Sequence, residues 1–226
     1  MVINVVDKIR DRRNAHVSMN KVIAIIGDLI RSRQINDRSL FQENLKNTFQ
    51  DINKKSKVSI LSPFTITLGD EFQAVYKNPD RIFYDYWCIV EAIYPVKVRV
   101  ALGFHELNTK INRLEAIGMD GPAFHEARDG LLSMKKIGSS NMISLFPKEK
   151  ETKIFSASLE LLNVSTLKWH HSTITILIGL MEDRSIKEIS NKNNMTVSGI
   201  HRNIKRNNID RILSFQKEFI KSIKQT

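Results

Sequence analysis

The chain has 226 residues, of which 42% are apolar and 26% charged, and a formal net charge of +11. That size suits one large domain or two small ones, and the composition is that of a globular protein. Nine Gly and five Pro argue against long low-complexity tracts, and the single Cys88 excludes an intrachain disulfide and a multi-cysteine metal centre.

The first 20 residues are polar and charged, without the apolar segment of a secretory signal. No apolar run approaches the about 20 residues of a membrane span. With one cysteine, this predicts a cytoplasmic protein with no membrane contact. Residues 1–18 read as an extension carrying Lys8, Arg10, Arg12 and Arg13, and Met19 is an alternative natural start.

The first strand is expected at Lys21–Ile26, a continuous apolar run of the kind buried on both faces, ended by Gly27-Asp28. A helix from about 37 to 52 follows, with Asn36 or Asp37 as N-cap and Leu40, Phe41, Leu45, Phe49 and Ile52 as its apolar stripe. Two strands come next, about Val58–Leu68, interrupted by Pro63, and Glu71–Tyr76. Gly69-Asp70 joins them as a tight turn, because Gly takes φ > 0 freely and Asp tolerates it. Asn78-Pro79-Asp80 breaks the chain before a helix at Arg81–Tyr94 that Pro95 closes. Val96–Phe104 alternates Val96, Val98, Val100 and Leu102 with Lys97, Arg99 and Ala101, the pattern of a half-exposed strand. A helix at Pro122–Lys136, with Pro near N1 and Gly138 as C-cap, and a short strand at Met142–Phe146 complete the unit.

The order β-α-β-β-α-β, then α-β, predicts an α+β fold with a ferredoxin-like, palm-type split sheet over residues 19–147. That topology puts Asp28 and the Gly69–Glu71 tip at the same edge of the sheet.

Residues 148–170 read as a linker with helical tendencies, and residues 171–226 as an all-α helix-turn-helix domain. Thr173–Met181 is an apolar helix. Ser185 and Glu188 form a capping box at the start of a short helix, and Asn191–Asn194 holds a turn. Thr196–Asn207 is the next helix, with Val197, Ile200 and Ile204 inward, and Ile209–Ile223 is the last. Residues 168–226 carry a net charge of +6 and residues 1–167 a net of +5, so the last quarter holds over half of the excess. That asymmetry points to a polyanion partner. In a helix-turn-helix the second helix enters the major groove. Thr196, Ser198, Gly199 and Arg202 then face bases or phosphates, and Lys205 and Arg206 face phosphates. Paired half-sites predict a homodimer on double-stranded DNA.

Asp28, Asp70 and Glu71 form the second candidate site. Carboxylates that converge are costly unless a cation neutralises them, which points to Mg²⁺ or Mn²⁺ with a nucleotide ligand. Arg31, Arg33, Gly69 and Lys135 are the candidate nucleotide contacts. The plain alternative is that Asp28 and Asp70 are capping and turn residues. His170-His171 lacks a third metal ligand, His105 and His125 are at most polar contacts, and neither Ser32 nor Cys88 belongs to a nucleophile constellation.

Gly69-Asp70-Glu71-Phe72 resembles the hairpin signature of the GGDEF diguanylate cyclases and the wider nucleotidyl-cyclase palm. The resemblance implies that Asp28 and Asp70 share Mg²⁺, with Glu71 as the following acid. The stretch 127–138 is similar to that family's late helix and implies that Lys135 contacts phosphates. Leu68 stands where the first Gly of the signature would be, Arg128 where an acid is usual, and Leu132 where an aromatic is usual. A wider resemblance is to the SatD family, through residues 23–33, 68–73 and 121–128. It implies a palm-like domain joined to a helix-turn-helix. The resulting expectation is a ligand-responsive transcriptional regulator. The alternatives are an active nucleotidyl cyclase or nucleotidyltransferase using Mg-NTP, and a non-catalytic adaptor with a degenerate palm.

Overall fold

The computed structural model describes residues 21–67, 69–136, 142–145 and 153–225. The extension at 1–18, Leu68, Gly138 and Phe146 lie outside the described residues. The fold is mixed α+β, built on a five-stranded sheet in the order β2-β3-β1-β4-β5. The strands are β1 (Val22–Ile30), β2 (Ile60–Ile66), β3 (Glu71–Tyr76), β4 (Lys97–His105) and β5 (Met142–Leu145). β1, β2, β3 and β4 pair antiparallel, while β5 runs parallel to β4. The β-α-β-β-α-β order therefore folds as the expected split sheet, with β1 at its centre.

β1 runs on through Gly27 and Asp28 to Ile30, four residues beyond the expected end at Ile26. Leu29 is buried and pairs with Val98 across β4, so the apolar requirement continues after the acid. Gly27 permits this path: a Cβ there would lie 2.2 Å from the Phe72 ring, far inside van der Waals contact. Pro63 sits where the β2–β3 register shifts, as proline does on an edge strand.

One face of the sheet is covered by α1 (Arg38–Lys55) and α2 (Ile82–Ala92). Asp37 caps α1, accepting a hydrogen bond from the Leu40 N–H at 3.0 Å. Leu45, Phe49 and Ile52 are the buried stripe, whereas Leu40 is 54% exposed, because the first turn projects beyond the sheet. Phe49, Phe64 and Phe72 pack ring against ring under α1.

The other face is covered by α3 (Pro122–Lys136), whose bounds are those predicted. This corrects the half-exposed reading of β4: Ala101 is fully buried, and Arg99 keeps only 12% side-chain exposure. The cause is a close approach at Gly103, where a Cβ would lie 1.9 Å from the Ala123 carbonyl oxygen. The helix can sit directly on the strand only because that side chain is missing.

The C-terminal residues form α4 (Lys153–Thr166), α5 (His171–Met181), α6 (Ile186–Asn193), α7 (Val197–Arg206) and α8 (Ile209–Gln225). The stretch expected to act as a linker is thus mostly helix. These helices share one apolar cluster with the α1–α2 face of the sheet. Trp87 of α2 stacks on Trp169 at 5.4 Å, and Phe83 meets Phe219 of α8 edge-on at 5.4 Å. The Tyr84 hydroxyl donates to Glu182 at 2.5 Å, and Lys224 pairs with Asp80 at 2.5 Å. No described helix is long and apolar enough to cross a membrane.

Candidate functional site

The first cluster lies at the end of the sheet where β1 approaches the β2–β3 turn. Asp28 is opposite Glu71 of β3 and opposite Arg99 of β4. Cross-strand partners share a face, so all three point toward α3. α3 contributes Arg128 and Lys135, seven residues apart and therefore on one side of the helix. Asp28 keeps only 9% side-chain exposure. Arg99 Nη1 lies 3.3 Å from its Oδ2, and Lys135 Nζ lies 3.1 Å from the same oxygen. Arg128 Nη1 lies 2.7 Å from Glu71 Oε1.

Asp70 stands apart from these ion pairs. Its side chain accepts a hydrogen bond from the Ser32 hydroxyl at 2.5 Å, and its carbonyl accepts from the Leu29 N–H at 3.2 Å. The tip is therefore tied to β1 by backbone as well as side chain. Gly69 takes φ +64, which suits a residue without Cβ. Gln42 Nε2 donates to its carbonyl at 3.5 Å, and the Arg38 guanidinium lies beside it. Arg31 follows β1 with φ 58, exposed to solvent, at the start of a 3₁₀ turn, Ser32–Gln34. Arg33 is in that turn, and its side chain is outside the described residues.

Of the predicted site residues, Asp28, Glu71 and Lys135 come together, with Asp70 and Gly69 at the adjoining turn. Sequence reasoning missed Arg99, Ser32, Arg38 and the role of Arg128 as a cation. Alternation along β4 puts Arg99 on one face with Lys97, and only the pairing register sets it opposite Asp28. A metal has a two-aspartate set here at most. Among the described residues no three His, Cys, Asp or Glu side chains cluster closely enough to hold one. Two carboxylates still suit Mg²⁺, which keeps several waters and takes further ligands from phosphates.

The second cluster lies on α7. Ser185 and Glu188 close a capping box at the start of α6, with the Ser185 N–H donating to Glu188 at 2.8 Å. Asn194, at φ 49, turns the chain, and Thr196 caps α7 by accepting from the Gly199 N–H at 3.1 Å. Ile200 is the buried anchor of α7. Val197 is 45% exposed, contrary to its expected inward position, because it sits on the first turn beyond the contact with α6. Ser198, His201, Arg202, Lys205 and Arg206 are exposed, and none of the three cations has an acidic partner among the described residues.

The remaining candidates are structural. His170 precedes α5 as its N-cap residue, and the His171 ring packs on Tyr94. His125 lies 2.9 Å from Asp120 at the surface. Burial pushes the Cys88 thiol up to about 12, away from nucleophile character.

The pattern of the SatD family matches residues 22–221, nearly the whole chain. The chain belongs to the SatD family. Two solved structures are similar to part of this SatD chain. The guanylate cyclase domain of RhGC from Catenaria anguillulae, in complex with GTP, is 14% identical with a TM-score of 0.40, over 56% of this chain and 78% of that one. The non-canonical dimeric guanylyl cyclase domain of the RhoGC fusion protein from Blastocladiella emersonii is 14% identical with a TM-score of 0.38, over 56% and 79%. No curated protein matches the chain. The palm-like assignment rests on the strand order of the sheet itself.

Proposed function

We propose that this SatD protein is a ligand-responsive DNA-binding regulator, with a nucleotide site at the end of the sheet and α6–α7 as its helix-turn-helix. The observation that carries this reading is α7: a capped helix with one buried anchor and a solvent-facing row of unopposed cations. Cations without acid partners favour a phosphate backbone, whose bound counterions they release. Arg202 and Ser198 are suited to base edges, and Lys205 and Arg206 to phosphates. A homodimer presenting two such helices would read paired half-sites.

At the sheet end, Lys135 and Arg128 provide phosphate contacts next to two aspartates. Phosphate oxygens would replace Asp28 and Glu71 as partners of these cations. Asp28 and Asp70 would then hold Mg²⁺ or Mn²⁺, which would neutralise the polyphosphate and fix its orientation. α2, on the opposite face of the sheet from this site, packs against α5 and α8.

Fluorescence anisotropy on random double-stranded DNA, across a salt series, tests the DNA half. Affinity that falls steeply with salt, and falls again in Arg202→Ala, supports it; no binding at low salt rejects it. Calorimetry with each NTP and Mg²⁺ tests the other half, through loss of binding in Asp28→Asn. The rival reading, a nucleotidyl cyclase or nucleotidyltransferase, is favoured by the register that sets Asp28 against the acid pair of the turn. Turnover of any NTP with Mg²⁺ or Mn²⁺, abolished by Asp70→Asn, would select it.

A further inference from the structure

A cavity of about 560 Å³ opens where α4, the α7–α8 turn and the first half of α8 meet. Its floor is apolar and includes Leu162, Trp169, Ile212 and Phe215. Leu161 stands at the side, 70% exposed. Arg206 and Arg211, on either side of the α7–α8 turn, are among its lining residues, and no acidic side chain lines the cavity. Neither arginine has an acid partner among the described residues. The floor is rigid: Trp169 is 6% exposed and stacked on Trp87 of α2, so it is held by the core beneath.

An apolar floor beside two guanidiniums that have no acid partner among the described residues defines the ligand by charge and shape. Pockets for small organic ligands measure about 300–1,000 Å³, and this one falls within that range. Guanidinium groups favour oxyanions, which they bind through paired N–H donors. We propose that this groove binds an amphipathic organic anion. Its alkyl or aromatic body covers Trp169 and Phe215, and its carboxylate, sulfonate or phosphate head is held by Arg206 and Arg211. A neutral or cationic amphiphile would leave both arginines unpaired and is selected against. Arg206 also belongs to the exposed basic row of α7, so an anion bound here withdraws one cation from that face. That corollary rests on the DNA reading; the binding test does not.

The test uses the full chain and the fluorescent anion 1-anilinonaphthalene-8-sulfonate. One saturable site per chain is expected. Decanoate should displace the probe at concentrations where decanol and decyltrimethylammonium do not. Leu161→Asp and Arg211→Ala should each weaken binding at least tenfold, while Arg211→Lys retains most of it. Both positions are exposed, so these changes leave the core intact, and melting curves check this. Unchanged affinity in both variants, or equal displacement by decanol, overturns the proposal. Occupancy that falls as protein concentration rises assigns the groove to a second copy of the chain and overturns it too. Loss of DNA binding by the unliganded chain would reject the regulator reading and leave this result standing.

Discussion

The sheet end and α7 both concentrate charge, in opposite circumstances. At the sheet end Asp28 is shared by Arg99 and Lys135, and Glu71 is matched by Arg128. On α7, Arg202, Lys205 and Arg206 face solvent with no acid partner among the described residues. Burial explains the contrast. A carboxylate with 9% exposure must be paired where it stands, whereas exposed cations are solvated and can wait for a partner. Charge at the sheet end is therefore matched within the fold, whereas charge on α7 is met by solvent. Asp85 is a third case: a buried acid whose nearest donors are the hydroxyls of Ser56, at 2.7 Å, and Tyr76, at 2.5 Å.

The largest expected effect is on stability at Asp28. Asp28→Ala strands Arg99 in the interior and should cost about 3 kcal/mol in urea denaturation, at the low end for a buried pair because Lys135 can turn to water. A loss below about 1 kcal/mol would mean that the balanced end of the sheet is not a stability element.

Asp85 comes next and gives a pH signature. Burial pushes its carboxyl from 3.8 up to about 6, despite the hydrogen bonds from Tyr76 and Ser56 that favour the charged form. The folded chain holds this proton more tightly than the unfolded chain does. Its stabilising effect is therefore complete below about pH 4 and is lost as pH rises through about 6, by about 3 kcal/mol. Asp85→Asn should remove that component; parallel stability profiles of the two proteins between pH 4 and 7 would contradict it.

Arg202→Ala tests the other side of the comparison. It should cost about 1–3 kcal/mol of DNA affinity while changing folding stability by less than about 0.5 kcal/mol. A clear drop in melting temperature would show that α7 is charge-balanced after all. The smallest effect belongs to Glu71→Gln. Arg128 is 46% exposed, so losing this pair should cost at most about 0.5 kcal/mol in the same urea measurement.

The strand order and most helix bounds were legible because their signals are local. Pro122 starts α3, Asp37 caps α1, and Ser185 with Glu188 opens α6, each through contacts within one turn. The neighbourhood of Asp28 and the Gly69–Glu71 turn was legible too, since a β-α-β-β order with a tight hairpin leaves few ways to pair β1 with β3. Arg99 was not. Alternation along β4 suggested a solvent face, and nothing local says that α3 will close over it.

The sequence by itself determined the α+β class, the placement of Asp28 at the sheet edge that carries the Gly69–Glu71 turn, and the basic α7, because periodicity and turn chemistry act over a few residues. Only the tertiary structure decided which charges neutralise one another. Gly103 lets α3 lie on β4, and that contact brings Lys135 to Asp28 and Arg128 to Glu71 from residues far apart in the chain. It also decided that α4 and α8 would meet over Trp169. Such pairings depend on which surfaces pack together, a property of the whole fold that no short stretch of sequence contains.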